Sequence, residues 1–152
     1  MESLRRGTIY RERAVLFGCV FPEDKGLNQE PLDELKALAE AAGVVVEGKV
    51  HQNRSKPDPT YHMGKGKSEE LNELARNKDV DMLICDSNLT PGQVKNLEKM
   101  TDRKVIDRTE LILDIFATRA QTKQAKLQVE LAQLQYSLPR LKRMWTHLSR
   151  IK

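Results

Sequence analysis

Aromatic residues, cysteines and long apolar runs are all scarce in this sequence. Two cysteines in 152 residues exclude a disulfide scaffold, and eight glycines with six prolines exclude a collagen-like or low-complexity chain. The longest apolar stretches, such as residues 14–17, are too short to cross a membrane, and no signal pattern opens the sequence. Since 39% of the residues are apolar, we expect a cytoplasmic chain with one core and no membrane span.

The cysteines and histidines lack the spacing of a metal site. Cys19 and Cys85 each lie in a short apolar run that is typical of a buried strand, where a thiol behaves as a small apolar side chain. Neither CxxC nor HxxxH occurs. The sequence therefore predicts no metal site and no redox role.

Positive charge is concentrated in the last third of the chain. From Glu110 onward there are eight Lys or Arg and three acidic residues, whereas acidic residues exceed basic ones by one in the preceding part. A localised basic excess fits contact with nucleic acid, and a solvated helix face is the alternative that charge alone leaves open.

Four short apolar runs alternate with helical patterns in residues 14–108, which we interpret as one subdomain preceded by a basic tail at 1–13. The runs cover 14–21, 44–50, 81–86 and 104–107. One helix has Pro31 near its start and Gly43 as its stop, a second covers 67–78, and a third begins at Thr90 with a capping box. This alternation predicts an α/β fold with a small four-stranded, mainly parallel sheet flanked by helices.

The last third has the heptad pattern of a coiled coil. We expect 109–152 to form a separate subdomain on one long helix from Thr109, kinked or ended near Pro139. Only four residues follow the last seam position, so the seam needs a partner from a homodimer or from a longer polypeptide. The seam positions are Leu127, Leu131, Leu134, Leu138, Leu141, Trp145 and Leu148.

The run Gly64-Lys65-Gly66-Lys67-Ser68 resembles the end of a phosphate-binding loop. A complete loop of that type has a further glycine where this chain has Tyr61, and a strand directly upstream. With a helix expected to begin at Ser68, the run can bind an anion through free amides and two lysines, although a basic loop without a ligand is the simpler interpretation.

The other parts of a nucleotide hydrolase are missing. Residues 77–81 resemble the guanine-reading NKxD motif with the register off by one residue, and no DxxG occurs. Asp86 and Asp107 follow apolar runs, at the edge where α/β sheets bind ligands, and helix capping explains them equally well. We therefore predict no enzymatic activity and no catalytic residue for this chain alone.

Several runs resemble one protein family. ILDIFATRAQTKQAKLQVELAQLQYSLPRLKRMWTHLSR at 112–150, RSKPDPTYHMGKGKSEEL, DSNLTPGQVKNLE and VIDRTELILDIF are similar to the amino-terminal part of the HflX family of translational GTPases. The resemblance covers about residues 14–150. Gln124-Ala125 and Arg143 depart from the usual Glu-Gly and glycine of the family.

The resemblance implies an α/β subdomain followed by a helical hairpin, here incomplete, and then a GTPase domain that binds GTP and magnesium. It implies docking on the large ribosomal subunit and its rRNA, not on DNA, and the splitting or rescue of stalled ribosomes. No cofactor is expected in this chain. The candidate rRNA-binding residues are Arg119, Lys123, Lys126, Arg140, Lys142, Arg143, His147 and Arg150.

A different class of function stays open alongside this one. The amino-terminal domain of some family members has been credited with binding nucleotide, and Gly64 to Ser68 is the candidate position here. The alternative is a self-contained α/β module that binds a nucleotide or acts as a dimerising regulator.

Overall fold

A computed structural model describes residues 11–24 and 30–150, with side chains described as far as residue 140. Most of the expected tail, residues 1–10, lies outside this part. The strands are β1 (Arg13–Val20), β2 (Val45–Asn53), β3 (Met82–Cys85) and β4 (Lys104–Asp107). The helices are α1 (Asp33–Ala41), α2 (Lys65–Lys78), α3 (Pro91–Thr101), α4 (Arg108–Arg119) and α5 (Lys123–Arg150), with a short 3₁₀ turn at Pro22–Asp24.

The four strands form one parallel sheet in the order β2-β1-β3-β4. This confirms the predicted α/β class and the predicted parallel pairing. The sheet begins earlier than expected, because Arg13 already belongs to β1. Its backbone N–H donates to the Asp81 carboxylate at 2.8 Å, and its side chain donates to Glu47 at 2.7 Å.

Alternate residues of the sheet point into two apolar layers. Val15, Phe17 and Leu83 pack with α2 and α3 on one face. Leu16 and Ile84 pack with α1 and α4 on the other face. The strands are buried on both sides, which explains why they appear in the sequence as continuous apolar runs instead of alternating ones.

The predicted helix signals hold in two places and fail in one. Thr90 and Gln93 form the predicted capping box, and Gly43 adopts a φ of 86° just after α1. Helix α2, however, begins at Lys65, with Gly64 as its N-cap, and not near Ser68. The apolar spacing in the sequence does not mark the true start of α2, because the first turn of this helix contains no apolar residue.

The last third forms two helices, which corrects the expectation of one long helix from Thr109. Asp107 caps α4 by accepting a hydrogen bond from the Glu110 amide at 3.1 Å. The chain is extended at Ala120, and Thr122 then accepts a hydrogen bond from the Ala125 amide at 3.0 Å, where α5 starts. Pro139 lies inside α5 and does not end it.

Helix α4 belongs with the sheet. Leu111 is fully buried and packs with residues of β3 and β4. The expected boundary between the two subdomains, at residue 108, therefore lies in the first turn of a helix that belongs to the core of the sheet. Within the described residues, no helix is long and apolar enough to cross a membrane.

Candidate nucleic-acid interface

Helix α5 leaves most of its apolar seam outside the core. Leu127, Leu131, Leu134 and Leu138 are between 56% and 60% exposed. The remaining seam positions, Leu141, Trp145 and Leu148, lie where side chains are not described. An apolar stripe of this length on one helix is a surface that another helix can cover.

Three of the candidate rRNA-binding residues surround the turn between α4 and α5. Arg119, Lys123 and Lys126 are exposed, and within the described residues none of them takes part in an ion pair. Their charges are available to phosphates. The side chains of Lys142, Arg143, His147 and Arg150 lie outside the described part.

Arg140, another of the candidate rRNA-binding residues, does not share this exposed environment. Its side chain is 14% exposed, and its Nη2 atom lies 3.1 Å from an Asp107 carboxylate oxygen. The guanidinium also donates to the carbonyl oxygens of Leu89 and Tyr136 and stacks 3.7 Å from the centre of the Tyr136 ring. Its Nη1 and Nη2 atoms donate within the protein, whereas Nε is buried without a hydrogen-bond partner, 3.6 Å from the Glu110 carboxylate. The guanidinium of Arg140 is therefore turned toward the protein interior in this conformation.

Asp107 collects hydrogen bonds from several parts of the chain. The side chain is fully buried and accepts from the amides of Leu89 at 3.0 Å and Glu110 at 3.1 Å. It also accepts from the Tyr136 hydroxyl and from Arg140. The sequence allowed Asp107 to bind a ligand or to cap a helix, and in the structure it caps α4. The same carboxylate also joins α4 to α5 through Tyr136 and Arg140. We refer to Asp107, Glu110, Tyr136 and Arg140 as the Asp107 junction.

Electrostatics within the junction shift two protonation equilibria. Burial, reinforced by the negative charge of Asp107, raises the pKa of Glu110 to about 7, although Arg140 acts in the opposite direction. The Glu110 carboxylate lies 3.6 Å from Arg140 Nε. Burial and the hydrogen bond to Asp107 raise the pKa of Tyr136 above its usual range. Tyr136 therefore remains a neutral hydrogen-bond donor.

Asp86, the other carboxylate at this edge of the sheet, is also held within the protein. It lies 2.8 Å from Arg108, which bridges it to Glu34 on α1. Burial raises the pKa of Asp86 despite the neighbouring guanidinium. Through Arg108, Asp86 connects α1 and α4 to the carboxyl end of β3.

The Gly64 to Ser68 run lies in the first turn of α2. The Lys67 ammonium is 3.0 Å from Glu70, and the Ser68 hydroxyl donates to the Gly64 carbonyl oxygen at 2.9 Å. Lys65 is exposed, and a Cβ placed on Gly66 would meet no atom within 4 Å. The Gly64 amide donates to the Gln52 side chain at 2.8 Å and the Ser68 amide to the Gly64 carbonyl oxygen at 2.9 Å, so two amides of the run are already engaged. Anion binding there stays a prediction.

The cysteines and one histidine are buried. Burial raises the pKa of the Cys19 thiol to about 11 and that of Cys85 well above its usual value. His62 is 2% exposed, its φ is 71°, and burial lowers its pKa, so it is neutral. Among the described residues, no three His, Cys, Asp or Glu side chains are placed to hold a metal ion.

Tyr136 and Glu110 were not singled out from the sequence. The available signal was the spacing of four residues between Tyr136 and Arg140, which places both on one helix face. The sequence could not show that this face meets Asp107.

Comparison with known proteins identifies the family. A profile described as "GTP-binding GTPase N-terminal" matches residues 29–117, and one described as "GTP-binding GTPase Middle Region" matches residues 119–152. The chain belongs to the HflX GTPase family. The boundary between the two profiles coincides with the end of α4.

Two relatives show the extent of the similarity. The chain is 44% identical over 150 residues to GTPase HflX of Flavobacterium psychrophilum and 45% identical over 141 residues to that of Escherichia coli. These alignments cover 98% and 93% of the chain, but only 36% and 33% of the relatives. The chain thus spans about one third of the length of these curated HflX proteins and matches their N-terminal domain.

A solved structure supports the fold. A GTP-binding protein from the archaeon Sulfolobus solfataricus, crystallised in complex with GDP, matches with a TM-score of 0.65 and 29% sequence identity. The match covers 89% of this chain and 40% of that one.

Proposed function

We propose that this chain is the ribosome-binding N-terminal module of an HflX GTPase. In this role it docks on the rRNA of the large ribosomal subunit and helps to split or rescue stalled ribosomes. Because the chain lacks complete phosphate-binding and guanine-reading motifs, we assign GTP, magnesium and hydrolysis to the part of the relatives that the chain does not span.

The observation that carries this proposal is the length of α5 together with its exposed apolar and basic surface. The helix has 28 residues, equivalent to about 42 Å at the usual rise per residue. It has an exposed apolar face and exposed basic residues at its start, and more basic residues follow in its last turns. A long helix of this composition can bring cations deep into an RNA-lined space while a second helix covers its leucines.

We propose phosphate contacts for seven of the eight candidate rRNA-binding residues. Arg140 is left out because Asp107 already neutralises it. Neutralising phosphates with the remaining cations releases counterions, so affinity should fall steeply with salt. The proposed set is Arg119, Lys123, Lys126, Lys142, Arg143, His147 and Arg150.

Binding of the chain to purified large ribosomal subunits tests the proposal. We expect Lys142→Glu with Arg143→Glu, and separately Lys123→Glu with Lys126→Glu, to weaken binding at least about tenfold and to flatten the salt dependence. The matched control is Lys36→Glu with Lys95→Glu, which makes the same charge change on exposed positions of α1 and α3.

Two results would contradict the proposal. Unchanged binding in both α5 variants would remove the assigned contacts. An equal loss in the control would mean that subunits respond to net charge and not to this helix.

The exposed Lys65 and the open space beside Gly66, at the start of α2, support a second candidate, a self-contained α/β module that binds nucleotide phosphates. Calorimetry with ATP and GTP tests it: heat that disappears in Lys65→Ala with Lys67→Ala favours it, and no heat with either nucleotide contradicts it. Dimerisation through the seam of α5 belongs to the same alternative. It predicts a mass that rises with concentration and no affinity for ribosomes.

A further inference from the structure

Polar side chains attach α5 to the rest of the protein. Gln133, Tyr136, Ser137 and Arg140 lie on the face that meets α4 and the sheet, whereas the leucines of the seam point away. A helix that packs permanently on a domain normally buries its apolar face. The attachment of α5 is therefore of a different kind from that of α1 to α4.

The interface also contains a groove that opens to solvent. It has a volume of about 380 Å³ and lies between α5, α4 and the outer strand β4. Lys104, Ile106 and Leu113 line it from the α/β side, and Gln133 and Ser137 line it from α5. A largely polar interface of this kind permits relative motion of its two sides, in contrast to a large apolar one.

The Asp107 junction fixes this interface. Arg140 joins α5 to the buried Asp107 carboxylate and to the Leu89 carbonyl oxygen, so a single side chain connects α5 to β4 and to the segment before α3. Tyr136 adds a hydroxyl donor to the same carboxylate. Because these hydrogen bonds converge on one carboxylate, they are coupled and form or break together, in addition to the packing of α5 along α3 and α4.

The segment about which α5 can rotate lies before its first turn, away from the Asp107 junction. Residues 120–122 separate α4 from α5 and are not helical, and Ala120 is extended with a ψ of 126°. The hydroxyl of Thr122 caps α5, so the helix remains intact when the residues before it rotate.

We propose that the Asp107 junction is a latch that holds α5 in one orientation, and that its release lets α5 swing about residues 120–122. In the latched state the last turns of α5, with their basic residues, leave the α/β unit in a fixed direction. The latch is independent of what α5 binds, so its test does not use ribosomes or RNA.

Distance measurements between spin labels test the latch. Glu73→Cys on α2 and Gln135→Cys on α5 place labels on exposed positions, and both native cysteines are buried. We expect one narrow distance distribution in the labelled parent. Tyr136→Phe with Arg140→Gln should at least double its width or shift its mean, because both donors from α5 to Asp107 are lost.

A control and a milder variant keep the test decisive. Arg119→Gln removes an exposed charge beside the turn without touching the junction and should keep the parent distribution. If the double variant does not fold, Tyr136→Phe alone is followed by hydrogen exchange. We expect amides of residues 123–140 to exchange at least tenfold faster while those of α2 are unchanged.

A parent-like distribution in a folded double variant would overturn the proposal. If only Tyr136→Phe folds, hydrogen exchange of the amides of residues 123–140 at the rate of the parent would also overturn the proposal.

Discussion

At the scale of single residues, Asp107 is a fully buried carboxylate whose donors come from three parts of the chain. A fully buried carboxylate has lost its hydration and depends on its hydrogen-bond donors. Two of these are backbone amides fixed by the fold, and two are side chains of α5. The same group therefore caps α4 and attaches α5.

We expect Asp107→Ala to lower the free energy of unfolding by about 3–5 kcal/mol, because it removes a helix cap and leaves Arg140 without its buried partner. Urea unfolding followed by circular dichroism measures this. Asp86→Ala, at a carboxylate that is 31% exposed and paired with Arg108, should cost no more than about 1–2 kcal/mol. Equal losses at the two positions would refute the special role of Asp107.

Glu110 should make stability dependent on pH near neutrality. Its pKa is raised on folding to about 7, so the folded chain binds this proton more tightly than the unfolded chain. The resulting stabilisation is complete below an ordinary carboxyl pKa near 4.5 and is lost as pH rises through about 7. The charged groups that act on Glu110 are Asp107, Glu98, Arg140 and Lys104.

Glu110→Gln should remove this dependence. At pH 8 we expect it to raise the free energy of unfolding by about 1–2 kcal/mol, after allowing for the 28% exposure of the side chain. Unfolding at pH 5, 6.5 and 8 provides the comparison, with exposed Glu73→Gln as the control. A variant whose stability falls with pH as steeply as the parent would show that Glu110 is not responsible.

At the scale of elements, the start of α2 is fixed by a contact with a residue of the preceding strand. The Gly64 amide donates to the Gln52 side chain at the end of β2, 2.8 Å away, where the chain turns into α2. Glycine at position 66 then lies inside a helical turn, where it costs backbone entropy.

We expect Gly66→Ala to stabilise the protein by about 0.5–1 kcal/mol, because a Cβ there meets nothing within 4 Å and helix propensity improves. Gly18→Ala is the opposite case, since its Cβ would lie 2.9 Å from the Asp86 Cβ, and it should destabilise by about 1–3 kcal/mol. Thermal unfolding of both variants tests the pair. Loss of stability in Gly66→Ala would mean that α2 starts later than described.

At the scale of the whole molecule, the protein consists of a packed α/β unit and a helix whose apolar face is outside that packing. Leu111 is fully buried, whereas Leu131 and Leu138 are 56% and 60% exposed. The stability of the chain therefore resides in the sheet and the four helices that cover it. Helix α5 adds little apolar burial.

Substitutions should separate these two parts. We expect Leu111→Ala to cost about 2–5 kcal/mol, whereas Leu131→Gln with Leu138→Gln should change the free energy of unfolding by less than about 0.5 kcal/mol. Urea unfolding at low protein concentration gives both values. A large loss in the seam variant would show that these leucines are buried in solution.

Much of this architecture could be predicted from the sequence, because the parallel strands are continuous apolar runs and Thr90 to Gln93 is a complete capping signal. The Asp107 junction could not be predicted. Tyr136 and Arg140 reach Asp107 across 29 and 33 residues, and this contact depends on the turn at 120–122. Arg140 was assigned to RNA for the same reason, since charge alone does not show whether a guanidinium faces solvent or a buried carboxylate.

The strand order has a consequence for how the chain folds during synthesis. Central strand β1 emerges first, β2 adds on one side, and β3 and then β4 add on the other, so the sheet can grow outward as it is translated. Asp107 and its amide donors from Leu89 and Glu110 are then in place before residues 136–140 have been made. The nascent domain should stay incomplete until Arg140 arrives, which makes the closing of the junction the last step in building this unit.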